Sequence, residues 1–232
     1  QQLIVHCYEY FDRKLLDITN LKETNQIHSQ EKSLELIQKA IEKTLSLNSH
    51  FVGTPSIVVH PGGYSLTEPV EEEKQRMQDG ISDTIKKLDI TGVNFLLENM
   101  PPYAWFFGGR WNCSAFLSTD EMINYCKKTG LRVCYDLCHS QLFCNVKGMN
   151  LVDEIKNIEY FVDHFHLSDA DGIDGEGLQY GEGTMNFKEI IPILNKHVEK
   201  SFAIEVWKGH ENGGIGFKKF LDEIVENGLV IN

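Results

Sequence analysis

Six short apolar runs in this chain each finish on a side chain that can hold a metal ion or move a proton. Leu3-Ile4-Val5 finishes at His6, Ile57-Val58-Val59 at His60, and Phe95-Leu96-Leu97 at Glu98. Val133-Cys134-Tyr135 finishes at Asp136, Phe165 at His166, and Ala203-Ile204 at Glu205. Mixed imidazole and carboxylate donors suit a divalent metal of the zinc or manganese kind first, with cobalt, iron or magnesium as alternatives. Calcium prefers all-oxygen cages. Carboxylates beside such an ion can also serve as acid and base. Glu98, Asp136, His166 and Glu205 are the core candidates.

The spacing says what must position them. From His60 the steps to Glu98, Asp136, His166 and Glu205 are 38, 38, 30 and 39 residues. A strand, a return helix and two loops take about that length. One donor therefore stands at the C-terminal end of each successive parallel strand. In an α/β fold of the TIM (β/α) barrel type those ends open on one mouth, where active sites sit. The expected strands are 3–8, 56–59, 94–97, 131–135, 165–167 and 202–206. The expected helices are 31–47, 70–88, one from the Ser118 N-cap to Gly130, 151–161, 187–198 and 216–226. Residues 11–30, 101–117 and 169–183 read as loops. Six strands fall short of the eight of a closed barrel. The expectation is one barrel domain over residues 1–232, either incomplete or lacking two βα units before Gln1.

Further candidates lie close to the core set. His139 follows Asp136 by three residues, and His6 and His60 end the first two strands; each could be a further metal ligand or a substrate contact. His164 shares a strand face with His166 and reads as a core or layer residue. Trp105, Phe106, Phe107 and Trp111 could form an apolar wall, with Trp105 the substrate contact. Glu176, with Asp174, lies in the acidic, glycine-rich loop after the fifth strand, where the two could bind a second metal or close over substrate. Lys208 and His210, just beyond Glu205, could meet a phosphate or a hydroxyl.

The 232 residues, 41% hydrophobic, carry a formal charge of −12. That balance disfavours a general affinity for nucleic acid, which needs clustered lysine and arginine. No apolar run approaches the roughly 20 residues that span a bilayer, so no membrane partner is expected. The six cysteines form no CxxC pair and read as reduced thiols of a cytoplasmic protein. Exposed barrel edges would favour a homo-oligomer.

Several motifs, in this order and spacing, resemble the xylose isomerase-like barrel superfamily. They are Val58-Val59-His60-Pro61-Gly62, Leu97-Glu98-Asn99, Asp136-Leu137-Cys138-His139, His166-Leu167-Ser168-Asp169, Gly181-Glu182-Gly183 and Ile204-Glu205-Val206-Trp207-Lys208-Gly209-His210. The superfamily holds sugar isomerases and epimerases as well as endonucleases of the endonuclease IV type (AP endonuclease family 2). Resemblance to the epimerase branch implies a metal held by Glu98, Asp136, His166 and Glu205. The two glutamates would then act as acid and base on a sugar or sugar phosphate, a reaction of carbohydrate metabolism. Resemblance to the endonuclease branch implies several zinc ions held by His6, His60, Glu98, Asp136, His139, His166 and Glu205, with abasic DNA as substrate. That branch also carries an Asp-x-His before the Gly-Glu-Gly loop; here residues 174–179 contain no histidine. A third expectation is a catalytically degenerate barrel that binds sugar or metal as a module of a larger protein.

Overall fold

The computed structural model describes residues 2–20, 24–68 and 70–231. Part of the polar connection read over 11–30, residues 21–23, lies outside them. The chain divides into two compact units, residues 1–133 and 134–232.

In the first unit three parallel strands pair in chain order: β1 (Ile4–His6), β2 (Ser56–Val59) and β3 (Asn94–Glu98). The register sets Ile57 beside Val5 and Phe95. All four residues of β2 are buried. That is the pattern of a strand covered on both faces, and β-branched side chains fill it well. Three helices return the chain. α1 (Gln30–Leu47) starts where the Ser29 side chain accepts from the Lys32 N–H, and it buries Leu36, Ile37, Ala40 and Ile41 on one stripe. α2 (Glu71–Ile85) opens on Glu71, Glu72 and Glu73, which suit the positive end of the helix dipole. α3 (Thr119–Thr129) is held by a capping box between Ser118 and Glu121 and ends at the left-handed Gly130.

The stretch 101–117 is more ordered than the loop its sequence suggests. Tyr103–Phe106 and Gly109–Cys113 form an antiparallel hairpin, and Tyr64–Ser65 adds a third strand. Its two-residue turn is Phe107-Gly108, both with positive φ, the twist that two-residue hairpins require. Trp111 is buried there with Leu15, Ile27, Tyr64 and Met100. It is therefore a core residue and not part of an exposed aromatic wall.

β4 (Arg132–Asp136) begins in the first unit and ends in the second. In the second unit β5 (Val162–Leu167) and β6 (Ser201–Ile204) are parallel, with His164 beside Ser201 and His166 beside Ala203. A helix absent from the sequence reading, α4 (Leu137–Lys147), follows β4 at once. Leu137, Cys138, Leu142, Phe143 and Cys144 are buried, and so are the polar His139 and Ser140, so polar and apolar residues do not divide cleanly between two faces. α5 (Leu151–Ile158), α6 (Phe187–Leu194) and α7 (Glu211–Glu226) complete the unit. Residues 159–161 and 195–197 are 3₁₀ turns, so α5 and α6 end earlier than expected. In α7 the residues 212–214 are left-handed, and the regular helix matches the expected 216–226. The expected loop 169–183 contains a hairpin of Asp169–Asp171 and Gly175–Leu178.

Gly80 lies inside α2, where a Cβ would stand 2.8 Å from the Thr19 carbonyl oxygen. Alanine there gains about 1 kcal/mol of helix propensity. It loses about 1–3 kcal/mol to overpacking against backbone. Gly80→Ala is therefore expected to lower the urea midpoint, and a raised midpoint would show that the Thr19 segment yields freely.

Candidate functional site

In the first unit the donors meet at the C-terminal ends of β1, β2 and β3. Glu98 has no solvent exposure. Its Oε2 lies 3.1 Å from His6 Nε2 and 3.2 Å from His60 Nε2. The two rings stand edge to face, 5.0 Å apart. Glu9 adds a carboxylate 3.7 Å from His60 Nδ1. His6 Nδ1 lies 2.6 Å from the Cys7 carbonyl. A carbonyl only accepts, so Nδ1 carries a proton. In neutral His6 the lone pair is then on Nε2, aimed at a carboxylate oxygen. Two acceptors at that distance need a proton or a cation between them. An imidazole that donates one N–H to a carbonyl and turns its other nitrogen to the site has the arrangement of a metal ligand. The donor set therefore fits a divalent cation.

In the second unit a corresponding set forms at the ends of β4, β5 and β6. His166 Nδ1 lies 3.1 Å from Glu205 Oε2 and 4.0 Å from Asp136 Oδ2. Asp136 also shapes the backbone. Its Oδ1 accepts from the backbone N–H of His139, which makes it the N-cap of α4. That cap fixes the carboxylate and starts the helix that carries His139. His139 Nδ1 is 3.9 Å from Asp136 Oδ1, and its Nε2 is 3.4 Å from Glu176 Oε1. Asp136, His139 and His166 are buried, and the Glu205 side chain is 36% exposed. Glu176 reaches this set from the Gly175–Leu178 strand.

The remaining predicted contacts lie at the surface. Trp105 is 54% exposed on the hairpin of the first unit. Lys208, in a left-handed conformation, and His210 are exposed on the turn after Glu205. His164 is buried within β5 with its ring against His166.

Two buried aspartates hold loops next to these donors. Asp17 does not stand out in the sequence. Its Oδ2 accepts the Gly63 N–H at 2.6 Å, and its Oδ1 accepts the Thr19 N–H and hydroxyl at 2.8 and 2.6 Å. It fixes the Pro61-Gly62-Gly63 turn directly after His60. A Cβ on Gly62, whose φ is +94, would stand 2.6 Å from the Asp17 carboxylate. Burial pushes the Asp17 carboxyl up, while the Thr19 and Gly63 donors pull it down. The only sequence sign is Thr19 two residues on, the spacing of an Asx turn. Asp169 does the same in the second unit. It accepts N–H groups of Ala170 and Met185 on Oδ1 and of Gly181 and Gly183 on Oδ2, at 2.8–3.1 Å.

Comparison with known proteins decides the family. A family model described as a xylose isomerase-like TIM barrel matches residues 2–224. The chain belongs to this family. It is 26% identical over 199 residues to the uncharacterized protein MJ1311 of Methanocaldococcus jannaschii, which covers 84% of this chain and 62% of that protein. The chain spans about six-tenths of the length of the curated relatives it matches. Among solved structures, a D-tagatose 3-epimerase-like protein superposes with TM-score 0.69 at 22% identity, over 97% of this chain and 77% of its own. Endonuclease IV from Thermus thermophilus gives TM-score 0.57 at 19% identity, over 96% and 76%. The IolI protein with a bound zinc atom gives 0.63 at 13%, over 97% and 75%. At these identities the likeness shows the fold. Among the described residues no helix is long and apolar enough to cross a membrane.

Removing the Asp169 carboxylate leaves buried N–H groups unsatisfied, at about 1–3 kcal/mol each where the loop cannot relax. Asp169→Ala is expected to destabilise by about 2–4 kcal/mol and to speed amide hydrogen exchange at Gly181, Gly183 and Met185. Unchanged protection at those three amides would refute the anchoring role.

Proposed function

We propose that this protein is a metal-dependent sugar or sugar-phosphate isomerase or epimerase. The observation that carries this is the acceptor-to-acceptor contact of His6 Nε2 with the buried Glu98 carboxylate, matched by the His166, Asp136 and Glu205 set. The reading takes from the family's fold the expectation that strand ends share one mouth. Glu98, Asp136, His166 and Glu205 would hold the metal, with His6, His60 and His139 as further ligands or substrate contacts. A bound divalent cation polarises a substrate carbonyl and stabilises the negative charge that develops on its oxygen.

The chain's own residues supply the rest. Glu98 and Glu205 take and return the proton on the carbon next to the carbonyl. Glu205 is partly exposed and exchanges its proton with water readily. Glu98 is fully buried and shielded from bulk water. His139, whose ring lies near Asp136 and Glu176, would donate to a hydroxyl of the substrate. Trp105, Lys208 and His210 are the exposed groups assigned to the substrate's outer parts, Lys208 and His210 to a phosphate or hydroxyl.

A second reading, a zinc phosphodiesterase acting on abasic DNA, draws on the same surplus of imidazole. His6 and His60 both face Glu98, which is more than a single-metal site requires. The absence of histidine from residues 174–179 counts against it.

Elemental analysis separates the two readings. Ketose turnover abolished by chelation and restored by about one added manganese, cobalt or zinc ion per chain is expected. Two or three zinc ions with cleavage of abasic DNA would move the assignment to the phosphodiesterase. The acid/base role has its own test. Glu205→Gln should retain the fold and reduce exchange of solvent deuterium into the substrate roughly a hundredfold to ten-thousandfold. Exchange at the parent rate would remove Glu205 from proton transfer.

A further inference from the structure

Beneath the strand-end donors of the second unit lies another group of potential ligands. Cys134 and His164 each precede a mouth residue by two positions, on β4 and β5. Alternation along a strand therefore turns them to the same side as Asp136 and His166, one layer deeper. One ligand atom each from Cys134, His164 and His166 lies within 4.8 Å of the other two, and all three residues are buried. The His164 and His166 rings meet edge to face at 5.0 Å. Ser201, the register partner of His164, has its hydroxyl 2.8 Å from His164 Nδ1.

We propose that Cys134, His164 and His166 form a second, thiolate-containing metal site selective for zinc. The set suits zinc because one sulfur and two imidazole nitrogens are its preferred donors, at about 2.3 and 2.0–2.1 Å. Magnesium, calcium and manganese favour oxygen and are selected against. Ser201 is the positioning residue. When the Ser201 hydroxyl accepts from Nδ1–H, the His164 lone pair lies on Nε2, and Ser201 then plays the part that groups behind the ligands play around metals. Cys134 has no solvent exposure, which keeps any substrate from its sulfur. Binding exchanges the thiol proton for the metal, and the proton leaves to solvent. The site shares His166 with the strand-end set, so its occupation competes with the His166–Glu205 contact. The inference does not rest on the isomerase reading, because its test reads the ligand atoms and not turnover.

The experiment is X-ray absorption on the intact protein loaded with zinc, with Co²⁺ titration followed in the near ultraviolet as a second readout. The expected result is a sulfur shell near 2.3 Å around zinc and a thiolate-to-cobalt band in the parent protein. Both should be lost in Cys134→Ser, and both should persist in Cys138→Ala. Ser201→Ala should weaken binding roughly tenfold to a hundredfold without removing the band. An all-nitrogen-and-oxygen shell in the parent protein at saturating zinc would overturn the site, whatever the variants do. So would a sulfur shell that survives in Cys134→Ser. If that variant does not fold, His164→Ala must still weaken the cobalt band, and a band of unchanged strength and midpoint would equally overturn the site.

Discussion

Glu98 is closed off from solvent, yet it faces two imidazole nitrogens at 3.1 and 3.2 Å. An isolated carboxylate in that position would cost several kcal/mol in lost hydration. The tautomer that the Cys7 carbonyl imposes on His6 makes the mismatch sharper, since it sets a lone pair against the carboxylate. Positive charge must therefore enter the pocket, as protons on the histidines or as a cation. Placing such a group at the end of a strand whose other residues are largely buried on both faces makes the backbone ladder the support of the site. β2 and β3 cannot shift register without moving His60 and Glu98 together.

Not every acid near these strand ends serves an ion. Asp17 and Asp169 spend their lone pairs on backbone N–H groups. They hold the turns after His60 and after β5, where close approach of the backbone leaves room only for glycine at Gly62 and Gly183. Asp136 combines both duties, since one oxygen caps α4 and the other faces His166. Part of the −12 formal charge is thus internal. Oriented N–H groups stabilise it there.

The strand ends were legible because two signals coincide there: an apolar run and a terminal donor, repeated at the length of a βα unit. That was enough to place His60, Glu98, Asp136, His166 and Glu205 at strand ends and to propose a (β/α) barrel, the family to which the chain belongs. What was not legible had no period. In α4 the polar His139 and Ser140 are buried beside Leu137 and Cys138, so polar and apolar residues do not separate into faces that a period would reveal. The 103–113 hairpin turns on Phe107, a bulky residue at positive φ, where sequence rules look for asparagine or aspartate before the glycine. Asp17 makes its decisive contact with Gly63, 46 residues away, which no local pattern encodes. Trp111 looked like a surface aromatic because its neighbours are; packing against Leu15 and Met100 decided otherwise.

All six cysteines are buried, distributed from the end of β1 through the hairpin, α3, β4 and α4. Burial pushes the Cys7 and Cys144 thiols up to about 12. In the closed structure the reactive thiolate is therefore scarce and out of reach. A thiol-directed reagent can then label a given cysteine only while its surroundings are open. The chain carries its own set of clocks for local unfolding, one for each of these regions, and their labelling rates would rank the stability of the segments beneath the strand ends.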